Sequence, residues 1–402
     1  MALIPNIGAE EGPQWPALLE KPAVAATVAL WRHLFPAPHH LIGTADTTEC
    51  WPESMGDRPQ EAAFAWLEGR SVASWWGDPR AVDLARENGL EWPEADAETI
   101  LRVHDKAFAV RMSQELGLVP TELDDLGFVL EAGELTASDD WIDRVEREIG
   151  TWPAFTGGRF CLKPRLGSSG RGRVSGQADD LDRVVLQGAA RSLARRGGAI
   201  LEPWLARSGD FSVQLHIGDT DPAVTVLGGL RLWVTNTGLY RGHLGEVDSR
   251  GRVFSGDPEE ERARTAAAML ASEAQALGFR GPCGVDGLSF EIPGRADEEP
   301  TRVIRPAVEF NARFTLGTIV IGLIRRNLKR LQTELELSPG QRRAFLFALD
   351  TPPGWTSWEA LAESLPGRVL GLPLAALSAP ARPGLVFADS LTELEDSLLA
   401  KT

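Results

Sequence analysis

The stretch Arg305-Pro306-Ala307-Val308-Glu309-Phe310-Asn311-Ala312-Arg313-Phe314-Thr315-Leu316-Gly317 constrains this chain more than any other. Read as an extended strand, it sends Arg305, Glu309, Asn311 and Arg313 to one face and Val308, Phe310 and Ala312 to the other. A carboxylate, an amide oxygen and a guanidinium then stand in a row, each ~7 Å from the next. Two oxygens at that spacing can share one or two Mg²⁺ ions, and a guanidinium beyond them suits a phosphate carried by those ions. A lone E-x-N-x-R is as readily the solvated face of an exposed strand. Other stretches must decide.

Gly284 to Ile292 is the second informative strand. Its alternation puts Asp286 on the same face as Leu288, Phe290 and Ile292, where an unpaired carboxylate is costly. A metal shared with Glu309 and Asn311 supplies the missing cation. Pro293 to Thr301 reads as a polar hairpin tip, so Asp286 and Glu309 fall on paired neighbours.

Upstream, Asp96 is an N-cap and Ile100, Leu101, Val103, Phe108, Met112 and Leu116 form one helical stripe ending at Gly117. Lys106 lies within it and by spacing alone is a solvated helix residue. Gly158 to Arg165 is a strand carrying Lys163 near its end. Leu166 to Val174 follows, with Gly167, Ser168, Ser169, Gly170 and Gly172 making either a plain turn or a loop whose N–H groups close over phosphate oxygens. No G-K-[ST] follows those glycines and no G-x-G-x-x-G occurs near the start, so neither a Walker A loop nor a dinucleotide fingerprint is present. Asp180 to Arg196 is an amphipathic helix closed by Gly197 and Gly198.

Ala199 to Leu205 is a strand running into a hinge. Exposed backbone beside Trp204 and Leu205 there can hold a planar base, or merely join two sub-domains. Phe211, Val213, Leu215 and Ile217 alternate as a strand begun at Asp210, and Ala223 to Val234 is another. Thr235 to Gly245 is a polar loop with Tyr240, Arg241 and His243, either contacting substrate or forming a surface hairpin. His33, His39, His40, His104 and His216 show no metal spacing and receive no role. Pro258 to Leu277 and Leu316 to Leu335 are helices; Arg343 to Asp350 and Gly384 to Ala388 are strands, and Leu391 to Leu399 is a closing helix.

Residues 1 to 95 hold Trp15, Trp31, Trp51, Trp66, Trp75, Trp76 and Trp92, read as packing in a small α/β layer without a site. With 402 residues the chain has room for two to three domains, and a net charge of −16 argues against a nucleic-acid partner. Cys50, Cys161 and Cys283 are odd in number and far apart, which fits a reducing cytoplasm. No basic leader precedes an apolar core, and the longest apolar run, Leu316 to Leu323, is too short to span a membrane.

Taken in order, Lys106, Lys163 with its glycine loop, Glu202 to Leu205, Asp210, Asp286 and Glu309-x-Asn311-x-Arg313 resemble the ATP-grasp superfamily of carboxylate–amine ligases over about residues 96 to 335. The resemblance implies an α+β fold whose two sub-domains, residues 96–200 and 201–337, grip ATP. A small α/β pre-ATP-grasp domain, residues 1–95, would precede them and a short α/β appendage, residues 338–402, would follow.

It further implies that Lys106 and Lys163 contact the phosphates under the Gly167–Gly172 loop. Glu202 and the backbone at Trp204 and Leu205 would meet adenine, and Asp210 the ribose. Asp286, Glu309 and Asn311 would bind Mg²⁺, with Mn²⁺ able to substitute, and Arg313 would stabilise the transferred phosphoryl group. Small carboxylate and amine substrates are then expected, with no nucleic-acid or membrane partner, and a homodimer is compatible. A small-molecule kinase and a non-catalytic nucleotide-binding module are the rivals. Gly287 departs from the family pattern, in which a bulkier residue is common after the acid.

Overall fold

In the computed structural model, all residues are described except 13, 45–51, 56–59, 169, 236–237, 295–298, 375–380 and 400–402. The N-terminal tryptophans build a core around a parallel sheet in the order β2-β1-β3, with β1 at Ala2–Ile4, β2 at His40–Leu41 and β3 at Val72–Ser74. Trp15, Trp31, Trp75 and Trp76 are buried. Phe314 sits with its ring centroid 5.5 Å from Trp31 and 5.7 Å from Trp66. Its N–H donates to the Trp75 carbonyl at 3.1 Å. The N-terminal layer therefore grips the residue directly after Arg313.

A second, antiparallel sheet has the order β4-β7-β5-β6, from β4 (Phe128–Glu131), β5 (Arg159–Pro164), β6 (Val174–Gln177) and β7 (Gly198–Pro203). Leu186, Ala190 and Leu193 of the Arg183–Arg195 helix share its apolar core with Phe160, Leu162 and Leu201.

The third sheet comprises β8 (Arg207–Ile217), β9 (Val224–Val234), β10 (Tyr240–Asp248), β11 (Val253–Phe254), β12 (Gly281–Ile292), β13 (Thr301–Asn311), β14 (Arg342–Ala348), β15 (Leu370–Pro373) and β16 (Gly384–Ala388). Its order is β13-β12-β8-β9-β11-β10-β14-β16-β15, so the C-terminal strands extend the same sheet. Phe211, Val213 and Leu215 share a core with Ala263, Ala267 and Leu270 of the Glu260–Ala276 helix. The alternate positions Ser212, Gln214 and His216 are buried too. The Leu316–Arg326 helix comes close there, and the Thr318 hydroxyl donates to Gln214 Oε1 at 3.1 Å.

Four expectations change. The stripe from 97 to 116 is two helices, Ala97–His104 and Lys106–Glu115, because Asp105 leaves helical geometry at φ −59°, ψ 124° and caps the second helix at the Ala107 N–H. Lys106 becomes the first residue of that second helix and is buried rather than solvated. The helix expected over 316–335 breaks at Asn327, whose side-chain amide turns back to donate to the Leu323 carbonyl at 2.8 Å. Most of the polar segment 235–245 is strand β10. Tyr240 Oη and His243 Nδ1 lie 2.6 Å apart, and burial pushes the His243 imidazole down to about 3.

The glycine after Asp286 has a steric cause. A Cβ on Gly287 would stand 2.3 Å from the Phe211 ring and 2.7 Å from the Pro306 carbonyl. Gly287→Ala is expected to lose about 2 kcal/mol of stability, read as a lower urea midpoint with an unchanged denaturant slope.

Candidate active site

Backbone register brings the acids together. Glu309 on β13 lies directly opposite Asp286 on β12, which lies opposite Ser212 on β8; two residues along, Asn311, Gly284 and Gln214 form a second row on the same face. The expected apolar side of β12 is real only from Leu288 onward, where Leu288, Phe290 and Ile292 pack with Leu205, Phe155 and Val303. At Asp286 the register shifts, Glu309 being its partner while Leu288 faces Arg305, and the neighbours become polar.

Asp286 accepts from Ser212 Oγ at 2.6 Å and from Asn311 Nδ2 at 3.0 Å. Burial, then the adjacent Glu309 charge, raise its carboxyl to about 6 despite those bonds and Arg313. Such a pair suits a hard cation whose remaining oxygen ligands come from phosphate and water. Among the described residues no group of three or more His, Cys, Asp or Glu could hold a metal; what this site offers is two carboxylates beside the Asn311 amide. Asn311 here turns its Nδ2 to Asp286, and its Oδ1 accepts from Arg313 Nη2 at 3.2 Å. Its oxygen reaches a cation only after the amide turns over.

One lysine faces these acids and a second pairs with Glu202. Lys106 Nζ is 3.2 Å from Glu309 Oε1 and donates to the Gly167 carbonyl at 2.6 Å. Lys163 Nζ is 2.6 Å from Glu202 Oε1, and Arg305 Nη1 donates to Glu202 Oε2 at 3.1 Å. Burial raises the Glu202 carboxyl, but Lys163 and then Arg305 outweigh it and hold it below its ordinary value.

Gly167, Gly170 and Gly172 have φ of 149°, 67° and 77°, conformations that favour glycine. Arg196 underlies the loop, donating to the Arg171 carbonyl at 2.8 Å; a Cβ on Gly172 would stand 2.3 Å from its Nη1. Ser168 Oγ accepts from Arg171 at 3.1 Å, while Ser169 lies outside the described residues.

No protein-family model matches the sequence. No curated protein matches it either. Solved structures do match in three dimensions. A biotin carboxylase–β,γ-ATP complex from Campylobacter jejuni superposes with a TM-score of 0.52 at 15% identity, over 100% of this chain and 90% of that one. An N5-carboxyaminoimidazole synthase from Aspergillus clavatus, with ADP and 5-aminoimidazole ribonucleotide, gives 0.51 at 13% identity, over 99% and 98%. The chain has the ATP-grasp fold.

Within this fold, three of the residues singled out from sequence, Trp204, Leu205 and Asp210, face a groove that the acids do not line. Trp204 has the guanidinium carbons of Arg173 and Arg207 at 4.5 and 4.7 Å from its ring centroid. Asp210 pairs with Arg207 at 2.7 Å, and burial, partly offset by Arg207, raises its carboxyl. Trp204, Leu205 and Asp210 line a groove of about 1500 Å³ with Arg159, Arg231 and Trp233; neither Lys163 nor Asp286 borders it.

Other site neighbours had received no role from the sequence. Ser212 and Gln214 occupy the polar beats of the β8 alternation, and Arg305 the polar face of β13, so their positions were readable. Glu10 had no signal. It follows β1, and its Oε1 lies 2.8 Å from Arg313 Nε.

Proposed function

We propose that this chain is an ATP- and Mg²⁺-dependent ligase that activates a small carboxylate as an acyl phosphate and joins it to an amine, releasing ADP and phosphate. The observation that carries the reading is the in-register pair Asp286 and Glu309, with Lys106 3.2 Å from the second. The ATP-grasp fold supports it. In the Aspergillus structure the bound molecules are ADP and an amino-bearing ribonucleotide, which agrees with an amine acceptor.

Asp286 and Glu309 would hold Mg²⁺, joined by the Asn311 oxygen once its amide turns. Bound there, the ion neutralises charge on phosphoryl oxygens. Lys106 and Lys163 now pair with Glu309 and Glu202. On nucleotide entry each lysine would exchange its carboxylate for phosphate oxygens, and Glu309 would exchange its lysine for the cation. The swap conserves charge, so no ion is stranded. Glu202 and the backbone at Trp204 and Leu205 are assigned to the adenine, and Asp210 to the ribose. The loop of Gly167, Ser168, Ser169, Gly170 and Gly172 would exclude water, protecting an acyl phosphate from hydrolysis.

Arg313 would stabilise the transferring phosphoryl group. No side-chain nucleophile is required. Cys161 is buried and, by that burial first, pushed up to about 12.

The domain assignment at 1–95, 96–200, 201–337 and 338–402 belongs to this proposal. So does a cytoplasmic setting, in keeping with Cys161 and Cys283 being free and buried. No helix among the described residues is long and apolar enough to cross a membrane.

The test incubates the protein with ATP, Mg²⁺ and a panel of amino acids and small carboxylates, following ADP, phosphate and product mass. Amide formation with stoichiometric ADP is expected, with nucleotide affinity lost on Glu309→Gln. No ADP release together with unaltered nucleotide binding by Glu309→Gln would sink the reading. A stable phosphorylated product without an amide would replace it with a kinase.

A further inference from the structure

Arg313 is held at each of its three nitrogens. Nη1 donates to the Phe314 carbonyl at 3.0 Å, Nη2 to Asn311 Oδ1 at 3.2 Å, and Nε lies 2.8 Å from Glu10 Oε1. Two of these partners are local to the β13 end. The third comes from the far end of the chain, on the turn after β1.

Glu10 is an unusual residue to find there. Its side chain is 1% exposed, and neither carboxylate oxygen makes an aligned hydrogen bond with a described residue. His104 lies on its other side, with Nε2 3.9 Å from Oε1. The His104 Nδ1 accepts the Ala312 N–H at 3.2 Å, which leaves the ring proton on Nε2, facing Glu10. Burial, then Arg313 and Lys106, keep the imidazole neutral. Arg313 is thus the cation that balances this buried carboxylate, and burying Glu10 for packing alone costs more than an apolar side chain of similar volume.

Resting on the ligase reading above, we propose that Glu10 is a positioning residue: it fixes the Arg313 guanidinium so that its remaining N–H groups face the transferring phosphoryl group. The N-terminal layer then completes the phosphoryl site as well as packing against it. An arginine pre-oriented by a carboxylate needs no reorganisation as charge develops, which is where such a contact acts most strongly.

Binding of Mg·ADP is compared with binding of Mg·ADP plus aluminium fluoride, a mimic of the phosphoryl group in transfer. Glu10→Gln is expected to change the Mg·ADP Kd by less than about threefold but to weaken the aluminium fluoride complex about thirtyfold. Arg313→Met should do the same, and the double variant should be no weaker than Arg313→Met alone, since one residue acts through the other. Glu10→Asp keeps the charge on a shorter arm and should lose about tenfold, which serves if Glu10→Gln does not fold. Equal binding of the aluminium fluoride complex by Glu10→Gln and wild type, or effects that multiply in the double variant, would overturn the inference while leaving the ligase reading in place. Wild-type protein that takes up no Mg·ADP would remove both.

Discussion

Replacing Asp286 by asparagine is expected to stabilise the ligand-free protein while costing turnover about a thousandfold. Both effects come from one arrangement. The Asp286 carboxyl is raised to about 6 from an ordinary 3.8, burial being the larger cause and Glu309 the second. Between those pH values the native chain binds a proton that the unfolded chain does not. The group's favourable contribution is therefore complete below about pH 3.8 and is lost as pH rises through about 6. At pH 7.5 the native state carries two facing carboxylates at a cost on the order of 2 kcal/mol, which asparagine removes.

Urea unfolding of wild type and Asp286→Asn at pH 5 and pH 7.5, with and without Mg²⁺, checks this. The variant should gain on wild type as pH rises, and Mg²⁺ should close the gap by stabilising wild type alone. Equal midpoints at both pH values would show that Asp286 carries no such cost. A stabilising substitution at this position would also mark the acid as kept for function rather than for folding.

Legibility in the sequence followed the range of the interaction. Strands β8, β12 and β13 were readable because alternation is local. The pairing of Asp286 with Glu309 was readable because a hairpin of eight residues between Ile292 and Thr301 allows little else. The break at Asp105 was not: the apolar stripe runs through it unbroken. What stops the helix is Arg165, sixty residues on, whose Nε donates to both Asp105 oxygens at 3.0 and 2.9 Å and whose carbonyl receives the Lys106 N–H. Glu10 was silent for the same reason, since its meaning depends on Arg313 three hundred positions later. The hinge at Trp204 admits either a backbone site for a planar base or a plain connection between sub-domains; only the fold reveals that two arginines flank the Trp204 ring.

Lys106→Met should act in the opposite direction to Asp286→Asn. Lys106 is 6% exposed, and its ammonium is the cation nearest Glu309. It also donates to the Gly167 carbonyl, tying the second helix to the glycine loop. Methionine fills the same volume without charge, so Glu309 is left beside Asp286 uncompensated and the loop loses its tether. Removing one partner of a pair this buried is expected to cost about 3 kcal/mol. The loss should be greatest at pH 8, where Asp286 is ionised, and smaller near pH 5, where Asp286 is largely protonated. Because the deficit is one of positive charge at Glu309, millimolar Mg²⁺ should restore much of the thermal stability without restoring turnover, which still lacks the phosphate contact. Recovery of neither, or stability lost equally at both pH values, would place the effect of Lys106 in the packing of its helix and not in the charge it carries.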